Sequence, residues 1–460
     1  MPDRTVTEEK PQTSRTPAPG PAPAPEPPAR DLPPGPKGRW LVGNGLDLRR
    51  DQMGFFTRMQ REHGNAVTIN LGRGGRLFLF SAPEAIERIL VVNAANYTSR
   101  EVNLPSMPFL GDGLLNIDGD FHHAQRALVQ PALSRRRVES YADVMLGYTE
   151  TMLAAWAADQ VVDMHLAMQQ LTLRIVARAL FGVDLADASG PFGRAFNAIL
   201  DYDEDHGLLP KLRLDLPFTA YGRYQRARRF LDREIFALVA ARHQVAAEDV
   251  MTTLLQTGLQ DRQVRDHTIT LLAAGHETTS NLLTFTFHLL SRNPAQRGAL
   301  QAELARVLAG RRPSLADLPD LPLLDMVIKE SLRLYPPAWV IGRRARADDA
   351  VLGHRLPAGA FALMSQWVVH RRPDLWPHAD EFLPERFTQP VSPFAYFPFG
   401  GGPRTCIGMP FAQQEAKLIL AAILQRYVPE LVPGQRLVLE PRVTLRPAGG
   451  TYMRLLQAAA

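Results

Sequence analysis

The chain of 460 residues contains a single cysteine, Cys406, within Phe399-Gly400-Gly401-Gly402-Pro403-Arg404-Thr405-Cys406-Ile407-Gly408. A lone thiol forms no internal disulfide and cannot be one of several thiolates in a zinc or iron–sulfur cage. It can be a buried inert side chain, a covalent nucleophile, or the single thiolate ligand of a metal cofactor. Its neighbours bear on that choice. The glycines let the backbone turn tightly and approach a flat ligand. Phe399 can cover the sulfur, and Arg404 can meet an anionic group. A helical run from about Met409 to Tyr427 follows, so the sulfur lies near a helix N-terminus, where the dipole favours thiolate.

A second constellation lies in Ala274-Gly275-His276-Glu277-Thr278-Thr279. Positions 271, 274, 275, 278 and 282 share one helix face, and small residues at 274 and 275 would admit a flat ligand. Thr278 beside Glu277 puts a hydroxyl next to a carboxyl; a mid-helix Thr can also simply bond back to the preceding turn. His276 reads as a core or surface residue, not a ligand. Glu330 and Arg333 stand one helical turn apart, a pair worth only about 0.3–0.5 kcal/mol if exposed.

The elements that must hold these residues are mostly helices. Ala66–Leu71 and Arg76–Ser81 read as a hairpin across Gly72-Arg73-Gly74-Gly75, and Pro83 opens a helix to about Val92. Helices follow at about His122–Leu133, Tyr141–Trp156, Met164–Phe181, Phe192–Asp203 and Tyr221–Val245. A long one spans about Arg262–Ser291, and another ends near Leu334. Short extended pieces such as Ala350–Pro357 come next, then coil from Arg372 to Pro398, long enough to be functional or tightly packed. The fold class is therefore mainly α with a small β region.

Composition is ordinary for a globular protein, at 45% hydrophobic and 22% charged residues. The formal net charge of +5 is too mild to argue for nucleic acid. An arginine cluster at Arg223, Arg226, Arg228, Arg229 and Arg233 reads first as a solvated helix face. Residues 1–31 are rich in Pro, Ala and charge and read as a disordered tail. With no apolar segment there or elsewhere long enough to cross a bilayer, the sequence predicts a cytoplasmic protein without membrane anchor, and length alone leaves one large fold or two to three domains open.

The Cys406 loop resembles the cysteine-ligand loop of the cytochrome P450 family, F-x-x-G-x-R-x-C-x-G, at every fixed position. Ala274–Thr279 resembles that family's oxygen-activation segment, Glu330-Ser331-Leu332-Arg333 its E-x-x-R, and Pro384-Glu385-Arg386-Phe387 its P-E-R-F element. All four occur in the family's order, and the resemblance implies one such domain over residues 32–460. The resemblance implies haem b between a long distal helix and the proximal cysteine loop, with Cys406 as axial ligand. A thiolate there favours O–O cleavage on the opposite face, as this family exemplifies, and the backbone N–H groups of Ile407 and Gly408 would tune the sulfur. Glu277 and Thr278 become the catalytic pair that feeds protons through an apolar site. Ala274, Gly275 and Phe399 would contact the cofactor. His122, Arg126, Arg343 and Arg404 would bind its propionates, with His123 and Arg344 as solvent-facing decoys. Glu330, Arg333 and Arg386 would form a structural triad.

The resemblance further implies a monooxygenase that takes O2, an apolar small molecule, and electrons from separate proteins, a ferredoxin and its reductase, in a monomer. Substrate would lie against Ala274, Thr278 and Trp339-Val340-Ile341, with parts of Asn103–Leu115 and Ala195–His206 closing the pocket. Lys417 and Arg371 or Arg372 are candidates for a basic surface facing an acidic carrier. A peroxide-using peroxygenase or isomerase is the alternative, with a non-enzymatic haem sensor behind it.

Overall fold

The computed structural model describes residues 31–184, 190–202, 215–245, 247 and 249–458. All but Asp31 of the Pro/Ala-rich tail, and Asp203 to His206 of the expected pocket mouth, lie outside the described residues.

Helix Asp261–Arg292 runs through the centre, with nearly every residue from Val264 to Leu290 buried outside the stretch around Ala274. Gln260 and Gln263 cap its start reciprocally, the Gln260 backbone N–H donating to Gln263 Oε1 at 3.0 Å. Its many hydroxyls survive burial by bonding to their own helix: Thr268 to the Val264 carbonyl at 2.8 Å, Thr284 to Ser280 at 2.7 Å and Thr286 to Leu282 at 2.8 Å. Helix Met164–Phe181 packs along it so closely that a Cβ on Gly275 would meet Val176 Cγ2 at 2.9 Å. Helix Met409–Leu424, with Pro410 in its first turn, has every residue from Leu418 to Leu424 buried.

The β region is somewhat larger than the sequence suggested. A five-stranded sheet has the order Ala66–Asn70, Arg76–Phe80, Phe361–Met364, Ile341–Ala345, Tyr97–Thr98. The predicted hairpin is its first pair, in register Val67↔Leu79. A second sheet joins Val161–Asp163, Tyr452–Gln457 and Tyr427–Leu431. Tyr427 therefore starts a strand instead of ending the last helix: Pro429 cannot sit inside a helix, and Tyr427 pairs with Gln457. The helix from Pro83 turns into a π-helical turn over Arg88–Val92.

The long coil after Arg372 is packed, not loose. Arg333 reaches into it and donates to the carbonyls of Ala379 at 2.7 Å and Glu381 at 3.0 Å. A buried guanidinium thus satisfies backbone groups that no helix or strand could. The arginine-rich helix Ala220–Gln244 has the expected solvated face, with Arg229 paired to Asp215 at 2.8 Å and Arg233 to Glu234 at 3.2 Å.

Candidate active site

The cysteine loop is held by its backbone. Cys406 N–H donates to the Phe399 carbonyl at 2.9 Å and Gly400 N–H to Phe397 at 2.9 Å. Gly402 has φ +65°, and a Cβ there would lie 1.9 Å from the Leu90 carbonyl oxygen. Only glycine permits both that conformation and that approach, so the π turn serves as the loop's backing. The Phe399 ring packs on the main core.

Cys406 is reachable by solvent although protein atoms crowd it on nearly every side, which puts the sulfur on the wall of an internal cleft. Burial pushes its thiol pKa up. The backbone N–H groups of Gly408 and Met409 and the charge of Arg126 pull the other way. The sulfur is therefore prepared for an electropositive partner that would complete the shift to thiolate.

Cations gather beside it. Arg126, on helix Gly119–Val129, donates to the Thr405 carbonyl at 2.9 Å. Arg404 donates to the carbonyl of Ile117 at 2.7 Å and to Asp118 at 3.0 Å. Arg343 projects from strand Ile341–Ala345, which passes the cysteine loop where Ile341 Cδ1 meets Gly400. Burial, then the nearby Arg404, lowers its pKa to about 10. His122 is buried, and burial followed by Arg404 and Arg126 pushes it down to about 4, so it is neutral. Among the described residues, Arg404 alone of these three arginines has a carboxylate partner, Asp118. Half-buried guanidiniums short of counter-charge are unfavourable, and a dianionic ligand would offset that cost. The donor set thus fits the two propionates of a haem, and the sulfur its iron. His123 is exposed, whereas Arg344 is half-buried, paired with Glu101 and lying over the Phe361 ring.

On the long helix, Ala274 is accessible although Leu271, Leu272, His276 and Glu277 around it are buried. Thr278 is partly accessible and its hydroxyl donates to the Ala274 carbonyl at 2.7 Å. Gly275 departs from the expectation: its missing side chain makes room for Val176 of the neighbouring helix, not for a ligand. Leu271 and Leu282, on the same predicted face, are core residues. His276 is core too, its Nδ1 3.2 Å from the Thr172 hydroxyl.

Glu277 turns away from Thr278 toward the C-terminal hairpin Val438–Pro441/Leu445–Ala448. Burial raises its pKa, while Thr444 and then Arg446, 3.9 Å away, oppose the rise. Arg446 also pairs with Glu440 and Asp201, both at 2.8 Å, and Asp201 is 59% exposed. A protonatable acid is thereby tied to the surface through two ion pairs. Arg446 carries no motif and nothing in the sequence marks it, whereas Asp201 lies in the Ala195–His206 segment expected to close the pocket, as one of its mouth acids.

Behind the loop, Glu330 receives Arg333 in a two-point bond at 2.7 and 2.8 Å and Arg386 at 3.0 Å. Arg333 also donates to the His370 carbonyl at 2.7 Å, and His370 Nε2 accepts the Phe397 N–H at 3.0 Å. His370 is a link the sequence analysis missed. Burial keeps its ring neutral, as that acceptor role requires.

Three expectations are corrected. Trp339 does not line a pocket: it is buried, stacks on Phe56, and donates to the Arg442 carbonyl at 2.9 Å. Arg371 and Arg372 are not surface cations. Arg371 lies over the Trp367 ring at 3.4 Å, and Arg372 is buried against the Ser81 carbonyl and Asp374. Lys417 is tied to Asp325 at 2.5 Å. Arg's weakly hydrated plane stacks well on aromatics, a contact no local pattern reveals.

Glu415, on the helix after the cysteine, was also missed. It is fully buried, its carboxyl makes no hydrogen bond of good geometry, and the buried Thr279 hydroxyl of the long helix sits beside it. Burial drives its pKa well above the usual carboxylate range. The folded protein then holds a proton that the unfolded chain releases, so stability falls as pH rises above that range. Glu415→Gln should flatten this slope, and melting temperatures between about pH 5 and pH 8 measure it. Equal slopes in the two proteins would show that the carboxyl is ionised.

The chain belongs to the cytochrome P450 family, whose model matches residues 33–452. It is 36% identical over 427 residues to cyclooctatin synthase of Streptomyces melanosporofaciens, covering 89% of this chain and 92% of that one. It is 32% identical to cyclooctat-9-en-7-ol 5-monooxygenase of the same organism, over 86% and 89%. Pentalenene oxygenase of Streptomyces avermitilis is 31% identical, over 88% and 91%. The family implies a haem cofactor and an oxidoreductase. No helix of the described residues is long and apolar enough to cross a membrane.

Proposed function

We propose that this chain is a haem-thiolate monooxygenase that inserts one atom of O2 into an apolar ring compound of terpenoid type, by hydroxylation or epoxidation. The observation that carries the reading is the cleft-lining Cys406 beside three guanidiniums, of which Arg404 alone has a carboxylate partner among the described residues. The names of the relatives, acting on cyclooctat-9-en-7-ol and pentalenene, support the substrate class. In this reading residues 32–460 form one domain, and the protein is a cytoplasmic monomer served by a ferredoxin and its reductase.

Haem b would be held by Cys406, Arg126, Arg343 and Arg404, with His122 beside them, and would supply the oxygen-activating chemistry. The protein's own share is protons and position. Glu277 takes a proton where Arg446 and Asp201 meet solvent, and a rotation of its side chain from that position would carry the proton to the Thr278 side of the helix. Thr278 Oγ1, donating to the Ala274 carbonyl, keeps its lone pairs free to accept a hydrogen bond from water. Ala274 keeps the wall low beside that hydroxyl.

NADPH-driven oxidation of a cyclic terpene through a surrogate ferredoxin pair tests the proposal. Product with peroxide alone, and none with NADPH, would overturn it. Thr278→Ala should cut product per NADPH by about tenfold or more and release the balance as hydrogen peroxide. Unchanged coupling would remove Thr278 from proton delivery.

A further inference from the structure

Residues 37–76 carry eight Lys or Arg against three Asp or Glu, a net of +5, which equals the formal net charge of the whole chain. The same segment holds two of the most exposed apolar side chains, Trp40 at 91% and Leu41 at 54%. They stand at the tip of a tight turn closed by Arg39 N–H to the Gly43 carbonyl at 2.9 Å and Gly43 N–H to Arg39 at 2.8 Å. The turn after the first sheet strand abuts it: a Cβ on Gly72 would lie 2.3 Å from the Leu41 carbonyl oxygen. Arg73 and Arg76 are thereby brought alongside Trp40 and Leu41 in one shallow depression. Lys37, Arg39, Arg73 and Arg76 are all exposed, and none has a carboxylate partner among the described residues.

We propose that these two turns form a docking surface for an anionic lipid bilayer, with Trp40 and Leu41 entering the headgroup boundary and the surrounding cations meeting lipid phosphates. An indole, apolar with one N–H donor, suits that boundary. Each basic residue near an anionic leaflet contributes about 1 kcal/mol of attraction. A narrow apolar tip ringed by cations matches insertion into a fluid surface. A specific protein partner would need a broad face of about 800 Å² on each side. Such contact would place the enzyme where an apolar compound concentrates, without any membrane-spanning helix.

The test is co-flotation of the full-length, haem-loaded protein with phosphatidylcholine vesicles with and without phosphatidylglycerol. Binding should require phosphatidylglycerol and weaken with salt. Trp40→Ser should lower partitioning about tenfold, and Arg73→Gln with Arg76→Gln roughly thirtyfold, with haem content and melting temperature unchanged because all three side chains are exposed. Absence of vesicle binding, or binding that both variants retain, would overturn the proposal. So would normal vesicle binding by the arginine variant with loss of electron transfer from an acidic ferredoxin, which would reassign the face to a protein. A dimer that Trp40→Ser dissolves would reassign it to a second copy.

Discussion

Cys406→Ser should abolish the thiolate-type Soret band of the reduced carbon monoxide complex and with it all NADPH-driven turnover. The loop that presents the sulfur is set by backbone bonds, Cys406 N–H to Phe399 and Gly400 N–H to Phe397, and by Gly402 against Leu90. None of these involves the side chain at 406, so the serine variant should fold. Haem should still be retained in part, because Arg126, Arg343 and Arg404 keep their excess of positive charge. What disappears is an anionic axial donor: the Gly408 and Met409 N–H groups and Arg126, which favour a thiolate, cannot ionise a hydroxyl. The reduced carbon monoxide spectrum reads the ligand directly and independently of any substrate. An unchanged band would end the assignment.

Arg333→Ala should destabilise the fold by about 3–5 kcal/mol, the usual consequence of leaving one partner of a buried pair uncompensated. Against a total of about 5–15 kcal/mol, this is enough to deplete folded, haem-loaded protein. Arg333 and Glu330 are both fully buried. Truncating Arg333 removes the two-point bond and leaves the Glu330 carboxylate with Arg386 and the Leu383 N–H alone, and it frees the carbonyls of His370, Ala379 and Glu381 together. Through His370 the damage reaches Phe397 and the cysteine loop, so a shifted carbon monoxide spectrum should accompany the lowered urea midpoint. Arg333→Lys should fall between, keeping charge but not the two-point bond. Arg386→Ala should cost less, about 1–3 kcal/mol, because Arg386 gives Glu330 a single bond and sits at the edge of the cluster. A wild-type midpoint in Arg333→Ala would refute the locking role.

How far these effects could be foreseen differs between residues. The long helix was legible almost to its ends, because apolar spacing and Asn293-Pro294 mark a helix over any background. Tyr427 was misread because the tertiary pairing with Gln457 outweighed a helical run that a proline two residues on had already weakened. Gly275 read as a ligand-facing gap, since spacing shows that a residue is small but not which neighbour fills the space. Arg371, Arg372 and Lys417 read as surface cations because charged side chains usually are, and only the packed structure shows Trp367, Ser81 and Asp325 beside them.

By itself, the sequence determined the family, the cysteine loop, the residue types of the triad and the order of the helices. These rest on spacing within one loop or a few helical turns, where covalent geometry restricts what a pattern can mean. Only the tertiary structure decided that Glu277 faces Arg446 and Asp201, that His370 joins Arg333 to the cysteine loop, and that Glu415 is buried beside Thr279. It also decided that the turns carrying Trp40 and Arg73 lie side by side. Those contacts join residues tens to hundreds of positions apart. Their energies come from burial and from the charges that burial brings together, and neither is defined until the chain has folded.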